Sequence, residues 1–174
     1  MEDKDVEYEA RFNEEGKVVL KKKSDIKRGK RSRSSGLKFE LKVRKYWESK
    51  GYIVDKWNNN VDIENNKVIP AKRKYNPFKK VMAIGTGFPD FIVIQFVRDG
   101  VYDVIGVEVK LNGILSKEEK EKCRWYLEKK TFSKILIAKK SDKAEGIEHI
   151  DFSEKWGKSL QDKKQASMIK FIKR

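Results

Sequence analysis

The sequence predicts an α/β domain whose core runs helix, strand, strand, strand, helix, strand. Two segments carry apolar residues at helical spacing, over Leu37–Lys50 and Ser116–Lys130. Short β-branched runs, "FIVIQFV", "VYDVIGVEV" and "KILIA", are too brief for helices and do not alternate cleanly. Turn chemistry separates these runs, with Gly51 closing the first helix and "RDG" linking two of the strands.

Glu7–Lys22 reads as a β-hairpin in which "YEARF" and "KVVLK" flank "NEEG", and Gly16 can take the positive φ of the turn. "KKKSDIKRGKRSRSSG" follows. With almost no apolar content, it is expected to be a mobile basic linker over 25–36. Its cations Lys27, Arg28, Arg31 and Arg33, around Gly29, are available for phosphate contact. In the helix Leu37–Lys50, Ser34 or Ser35 can cap the start. Val43 and Trp47 share its apolar face with Glu40, which is either a functional carboxylate or an exposed residue at the edge of that face.

"YIVDKW" is a short strand, and Asn58–Ala83 is polar and reads as an irregular loop. Within it Lys72, Arg73, Lys74 and Tyr75 belong to a basic–aromatic cluster suited to phosphate contact and base stacking, although "KVIPAKRKY" can also hold a strand. Phe88–Val97 and Val101–Lys110 form a hairpin of central strands covered on both faces. In the second helix Ser116 and Glu119 make an S-x-x-E capping box, and Cys123, Tyr126 and Leu127 make the apolar stripe. Lys134–Ala138 and "IEHIDF" are the last strands, followed by a basic tail expected to hold a short helix. The expected divisions are a hairpin appendage over 1–24, the linker over 25–36, the core over 37–152 and the tail over 153–174.

The formal net charge is +15, from 42 Lys+Arg against 27 Asp+Glu, which points to a polyanionic partner, most simply nucleic acid. The single Cys123 excludes an internal disulfide and a multi-cysteine zinc site. His149 is the sole histidine, which disfavours a Ser-His-Asp triad, and it reads as a strand surface residue. No apolar run is long enough to span a bilayer, and "MEDKDVEYEA" is not a signal peptide, so a cytoplasmic protein with no membrane partner is expected. Trp57 suits base stacking or strand-end packing, and Trp125 falls off the helical stripe.

Three charges sit in the apolar strands. Glu108 and Lys110 are two apart and point the same way. With Arg98–Gly100 as a three-residue turn, Val97 pairs with Val101 and Asp90 falls opposite Glu108; a bulge could restore this register if the turn length differed. Two adjacent carboxylates repel unless a proton or cation lies between them. Lys110 can neutralise one of them as an ion pair. Alternatively, the oxygens suit Mg²⁺ or Mn²⁺, which beside a phosphate would support phosphodiester hydrolysis.

"FPD" (Phe88–Asp90), followed after a hairpin by "EVK" (Glu108–Lys110), resembles the PD-(D/E)XK nuclease superfamily. The stretch from Thr86 through Lys140 is similar in length and texture to its VRR-NUC and archaeal Holliday-junction resolvase branches. The resemblance covers about Leu37–Lys140 and implies a restriction-endonuclease-like αβββαβ core, with a mixed central sheet flanked by helices. It implies Asp90 and Glu108 as metal ligands, Lys110 as the catalytic lysine, and Glu40 as an added first-helix acid that is catalytic and metal-binding. The implied protein is a Mg²⁺- or Mn²⁺-dependent DNA endonuclease for duplex or branched DNA, with four-way junctions as one substrate and a homodimer as the form that would cut two strands symmetrically. Related sequences often carry Gln near Glu119, which is read here as the capping-box acid without a catalytic part. A non-catalytic nucleic-acid-binding module on the same fold, and an RNA-associated basic protein, are the alternatives.

Overall fold

A computed structural model describes residues 7–13, 17–76, 81–84, 87–142 and 145–157. The chain divides into two compact units, Met1–Glu40 and Leu41–Arg174.

In the first unit, β1 (Tyr8–Phe12) pairs antiparallel with β2 (Val18–Lys22), Tyr8 opposite Lys22. This is the expected hairpin; Gly16 lies outside the described residues. Helix α1 (Lys23–Ser49) then starts at Lys23 instead of Leu37, so the basic segment 25–36 is helical and not an irregular linker. Lys and Arg are good helix formers, and apolar content decides whether a helix is buried, not whether it can form. Asp25 lies in the first turn, where its charge complements the helix dipole, and it pairs with Arg28 Nη2 at 2.8 Å. Ser34 and Ser35 are inside α1 and cap nothing.

In the second unit, α1 ends before Gly51, whose φ of 85° suits glycine. Strand β3 (Ile53–Lys56) follows. The segment read mainly as a loop folds into two hairpins, β4 (Asn59–Asp62) with β5 (Lys67–Pro70), and β6 (Arg73–Asn76) with β7 (Val81–Ile84), so the strand allowed for in "KVIPAKRKY" is present. Asn-rich sequence hid the first, because Asn is depleted in strands. Its asparagines serve the turn: Asp62 accepts from the Asn65 backbone at 3.0 Å and side chain at 2.8 Å, and Asn66 takes φ 52°.

β8 (Phe91–Arg98), β9 (Val101–Val109), β10 (Lys134–Lys140) and β11 (Ile147–Asp151) join β3 in a five-stranded sheet of order β11-β10-β9-β8-β3. The sheet is mixed. β9 and β10 are parallel, because α2 (Lys117–Glu128) crosses over between them, and the other pairs are antiparallel. Cys123 and Tyr126 of α2 are buried in one cluster with Phe132, Ile135 and Ile137. His149 lies opposite Ala138 and therefore on the other face, where the rings of Tyr46 and Trp47 of α1 stand 5.1 and 5.0 Å from it. Helices thus cover both faces.

That geometry corrects the reading of His149 as a surface residue: it is half-buried against α1, and burial holds its pKa below the ordinary value. It also qualifies the β8–β9 hairpin. Ile105–Glu108 are buried as expected, but the far end of the hairpin is exposed, with Phe96 and Tyr102 stacked edge to face at 5.6 Å. Trp57 donates to the Tyr126 hydroxyl at 3.0 Å, in keeping with strand-end packing, and Trp125 donates to Asn66 Oδ1 at 2.8 Å. Phe152, read as the end of a strand, starts the short helix α3 (Phe152–Trp156), capped by Asp151. The basic tail beyond it, 158–174, lies outside the described residues. Among the described residues, no helix is long and apolar enough to cross a membrane.

Candidate active site

Register brings the strand charges together. β8 and β9 pair from Phe91 opposite Val107 to Phe96 opposite Tyr102; the ladder ends there, and the same frame carried one step further runs from Asp90, just before β8, to Glu108. The turn is not the three-residue turn expected. Arg98 pairs with Val101, which leaves Asp99-Gly100 as the turn, and a bulge between Phe96 and Arg98 absorbs Val97. The bulge and the shorter turn compensate, and the pairing frame is the one the longer turn would have produced.

The approach to β8 is held by backbone contacts. Phe88 N–H donates to the Asn59 carbonyl at 2.8 Å, and Trp57 N–H to the Asp90 carbonyl at 3.3 Å. Gly87 allows this closeness, since a Cβ there would stand 1.8 Å from the Trp57 carbonyl oxygen. Gly106 does the same for Pro89, whose Cγ would lie 2.9 Å from an added Cβ. Asp90 is thereby fixed at the strand end, where its Oδ2 accepts the Val109 N–H at 2.8 Å.

Glu108 is aligned with Ile137 of β10, so its side chain points to the α2 face. It is only 4% exposed. Lys110 Nζ lies 3.0 Å from its Oε1, while Oε2 is buried and, among the described residues, has no hydrogen-bond partner. Lys110 is anchored through its backbone N–H to the Ala138 carbonyl at 2.9 Å.

A fourth group, Glu119, completes the cluster. The capping box is present as expected: the Ser116 hydroxyl accepts from Glu119 N–H, and Glu119 Oε2 accepts from Ser116 N–H at 2.7 Å. Its other oxygen, Oε1, accepts from Lys110 Nζ at 2.6 Å. The S-x-x-E motif, in the first helix after "EVK", was the available signal for this contact. Assigning Glu119 to the cap alone missed it.

The electrostatics are unequal. Burial, reinforced by the negative charge of Asp90, pushes the Glu108 carboxyl up to about 8, and Lys110 offsets this only in part. Burial opposes the charge on Lys110, yet hydrogen bonds to Glu119 and Glu108 outweigh it and raise its pKa. Burial would likewise raise Glu119, but Lys110 and the Ser116 backbone hold it below the ordinary carboxylate value. The ammonium is therefore shared between Glu119 and Glu108, with the shorter contact to Glu119.

No protein-family model, curated protein or solved structure matches the chain.

Of the residues singled out from sequence, Asp90, Glu108 and Lys110 converge. Glu40 is half-buried on α1, the last residue of the first unit. Lys27, Arg28, Arg31 and Arg33 are exposed on α1, and Lys72 is exposed between β5 and β6. Arg73, Lys74 and Tyr75 form β6, which is described by its backbone alone. Among the described residues, no three His, Cys, Asp or Glu side chains are gathered closely enough to hold a metal ion. The oxygens of Asp90 and Glu108 are the hard donors that could ligate a divalent cation from the two arms of one hairpin.

Proposed function

We propose that the chain is a metal-dependent DNA endonuclease of the PD-(D/E)XK type, built on a restriction-endonuclease-like core. The observation that carries the reading is Glu108 itself: a buried carboxyl beside Asp90, with one oxygen unpartnered among the described residues and Lys110 on the other. A buried charge is tolerated when it is paired or binds metal, and Lys110 accounts for only half of this carboxylate.

Asp90 and Glu108 would hold Mg²⁺ or Mn²⁺, and both supply the oxygen donors those ions select. The bound ion would supply Lewis-acid polarisation of a phosphate and an activated water. Lys110 is the general electrostatic partner, a fixed cation beside the place where negative charge develops. Glu40 enters this reading through the resemblance alone. The exposed cations of α1 and Lys72 suit backbone phosphate contact without reading sequence. Duplex or branched DNA is the proposed partner, acted on by a monomer or homodimer.

The test is cleavage of supercoiled plasmid and of four-way junction, flap, single-stranded and linear duplex DNA, with Mg²⁺ or Mn²⁺. Wild type is expected to cut, and Glu108→Ala and Lys110→Ala are expected to be inactive. Binding without hydrolysis under either metal would favour a non-catalytic module, and equal cutting by the two variants would remove these residues from the mechanism.

A further inference from the structure

We infer that Glu119 is a positioning residue for Lys110: its carboxylate is split, one oxygen closing the N-terminus of α2 and the other holding the Lys110 ammonium at the candidate site. The catalytic half of this inference rests on the nuclease reading; the structural half does not.

Oε2 is committed to Ser116 N–H at 2.7 Å, and the backbone N–H of Glu119 is committed to Ser116 Oγ at 3.2 Å. Those two bonds fix the side chain at both ends, so the carboxylate plane is set by the first turn of the helix. Oε1 then has one direction, toward Lys110 Nζ at 2.6 Å. Lys110 has need of such a guide. Its ammonium is a point charge on a long flexible stem, with donors and no acceptor, and its side chain is partly open to solvent. The backbone bond to Ala138 anchors Lys110 only at the start of that stem.

Glu108 is the weaker hold. Its Oε1 is farther away, at 3.0 Å, and Glu108 is the carboxylate that a cation would engage. Glu119 caps a helix and has no such second claim, so it is the contact that keeps the ammonium in place when Glu108 is occupied. The first turn of α2 is thereby mechanically linked to the end of β9.

The experiment compares Glu119→Ala, Glu119→Gln and Ser116→Ala in plasmid cleavage with Mg²⁺ and in urea unfolding. Ser116→Ala removes the cap hydroxyl without touching Lys110. Both Ala variants should unfold at lower urea. Only Glu119→Ala should lose kcat, by about 10- to 100-fold with KM little changed, as misplacement of a reacting group does. Glu119→Gln, whose amide oxygen can still face Lys110, should recover most of kcat. Equal loss of kcat in Ser116→Ala and Glu119→Ala would overturn the positioning role, because fraying of α2 would then explain both. A double-mutant cycle of Glu119→Ala with Lys110→Met reads the contact without any cleavage. A coupling of about threefold or more in the unfolding equilibrium constant is expected, and additive effects would overturn the contact. If wild type cuts no DNA under any metal, the nuclease reading fails while the cycle still decides whether Glu119 holds Lys110.

Discussion

Glu108→Gln should make the protein more stable, and increasingly so as pH rises. The carboxyl is 4% exposed, and its pKa stands at about 8 against an ordinary 4.5, first because of burial and then because of Asp90. A raised acid pKa means that the folded protein holds the proton more tightly than the unfolded chain. Below 4.5 both states are protonated and Glu108 takes nothing from stability. Between 4.5 and about 8 the unfolded chain has lost the proton and the folded one keeps it, so stability falls by about 1.4 kcal/mol per pH unit. Above about 8 the loss levels off at about 5 kcal/mol, an order-of-magnitude figure that relaxation around the site would reduce. Gln keeps the shape and an oxygen for Lys110 without the charge.

The assay is urea unfolding followed by tryptophan fluorescence at pH 5 to 9 in the presence of a chelator. The quantity of interest is the stability of Glu108→Gln minus that of wild type, in which titrating groups away from the cluster cancel. It should be near zero at the acid end and reach a few kcal/mol at pH 9. Parallel curves, or a variant less stable than wild type at pH 9, would refute the assignment of Glu108 as a buried, undercompensated charge. Adding Mg²⁺ at about 100 times its Kd should then raise wild type by about 2.7 kcal/mol and leave Glu108→Gln unmoved.

Gly87→Ala should unfold the approach to β8: the new Cβ meets a backbone oxygen at 1.8 Å, which cannot swing aside, and a loss at or beyond the upper end of the overpacking range of about 1–3 kcal/mol is expected in chemical denaturation. Tyr126→Phe removes the acceptor for Trp57 Nε1 and should lower stability by about 1–2 kcal/mol, with a shift in tryptophan emission. Replacing Arg28, Arg31 and Arg33 by Ala should reduce the slope of log affinity for duplex DNA against log salt by about 0.9 for each phosphate left without its arginine, with kcat unchanged; an unchanged slope would take α1 out of the DNA interface.

The central strands, α2, the C-terminal half of α1 and the β8–β9 frame that carries Asp90 toward Glu108 were legible in the sequence because each rests on a local rule. Period, caps and the arithmetic of an antiparallel register need no tertiary knowledge. The register survived a wrong turn because the bulge at Val97 and the two-residue turn shift the frame in opposite directions. Where the reading failed, two local signals competed. In 25–36 low apolar content outweighed helix propensity, although exposed Lys and Arg favour a helix as well as a coil. In Asn59–Pro70 the asparagines made the segment look irregular, although Asn59 and Asn60 lie in β4 and Asn65 and Asn66 build the turn. His149 was placed at the surface because nothing in one strand shows that the end of a distant helix packs on it.

Glu119 failed differently. The capping box is there as its motif requires, and the error was to let one motif exhaust one residue. A carboxylate has two oxygens, and a cap uses one. The same count explains why Glu108 stands out: Lys110 satisfies one of its oxygens and, among the described residues, nothing satisfies the other. A buried charge that removes about 5 kcal/mol at alkaline pH is a large burden for a domain whose whole margin is about 5–15 kcal/mol. On the nuclease reading proposed above, a cation bound in the working state would offset that burden. The anomaly visible in "GVEVK", an acid inside an apolar strand, would then be met by a divalent cation held by the oxygens of Asp90 and Glu108.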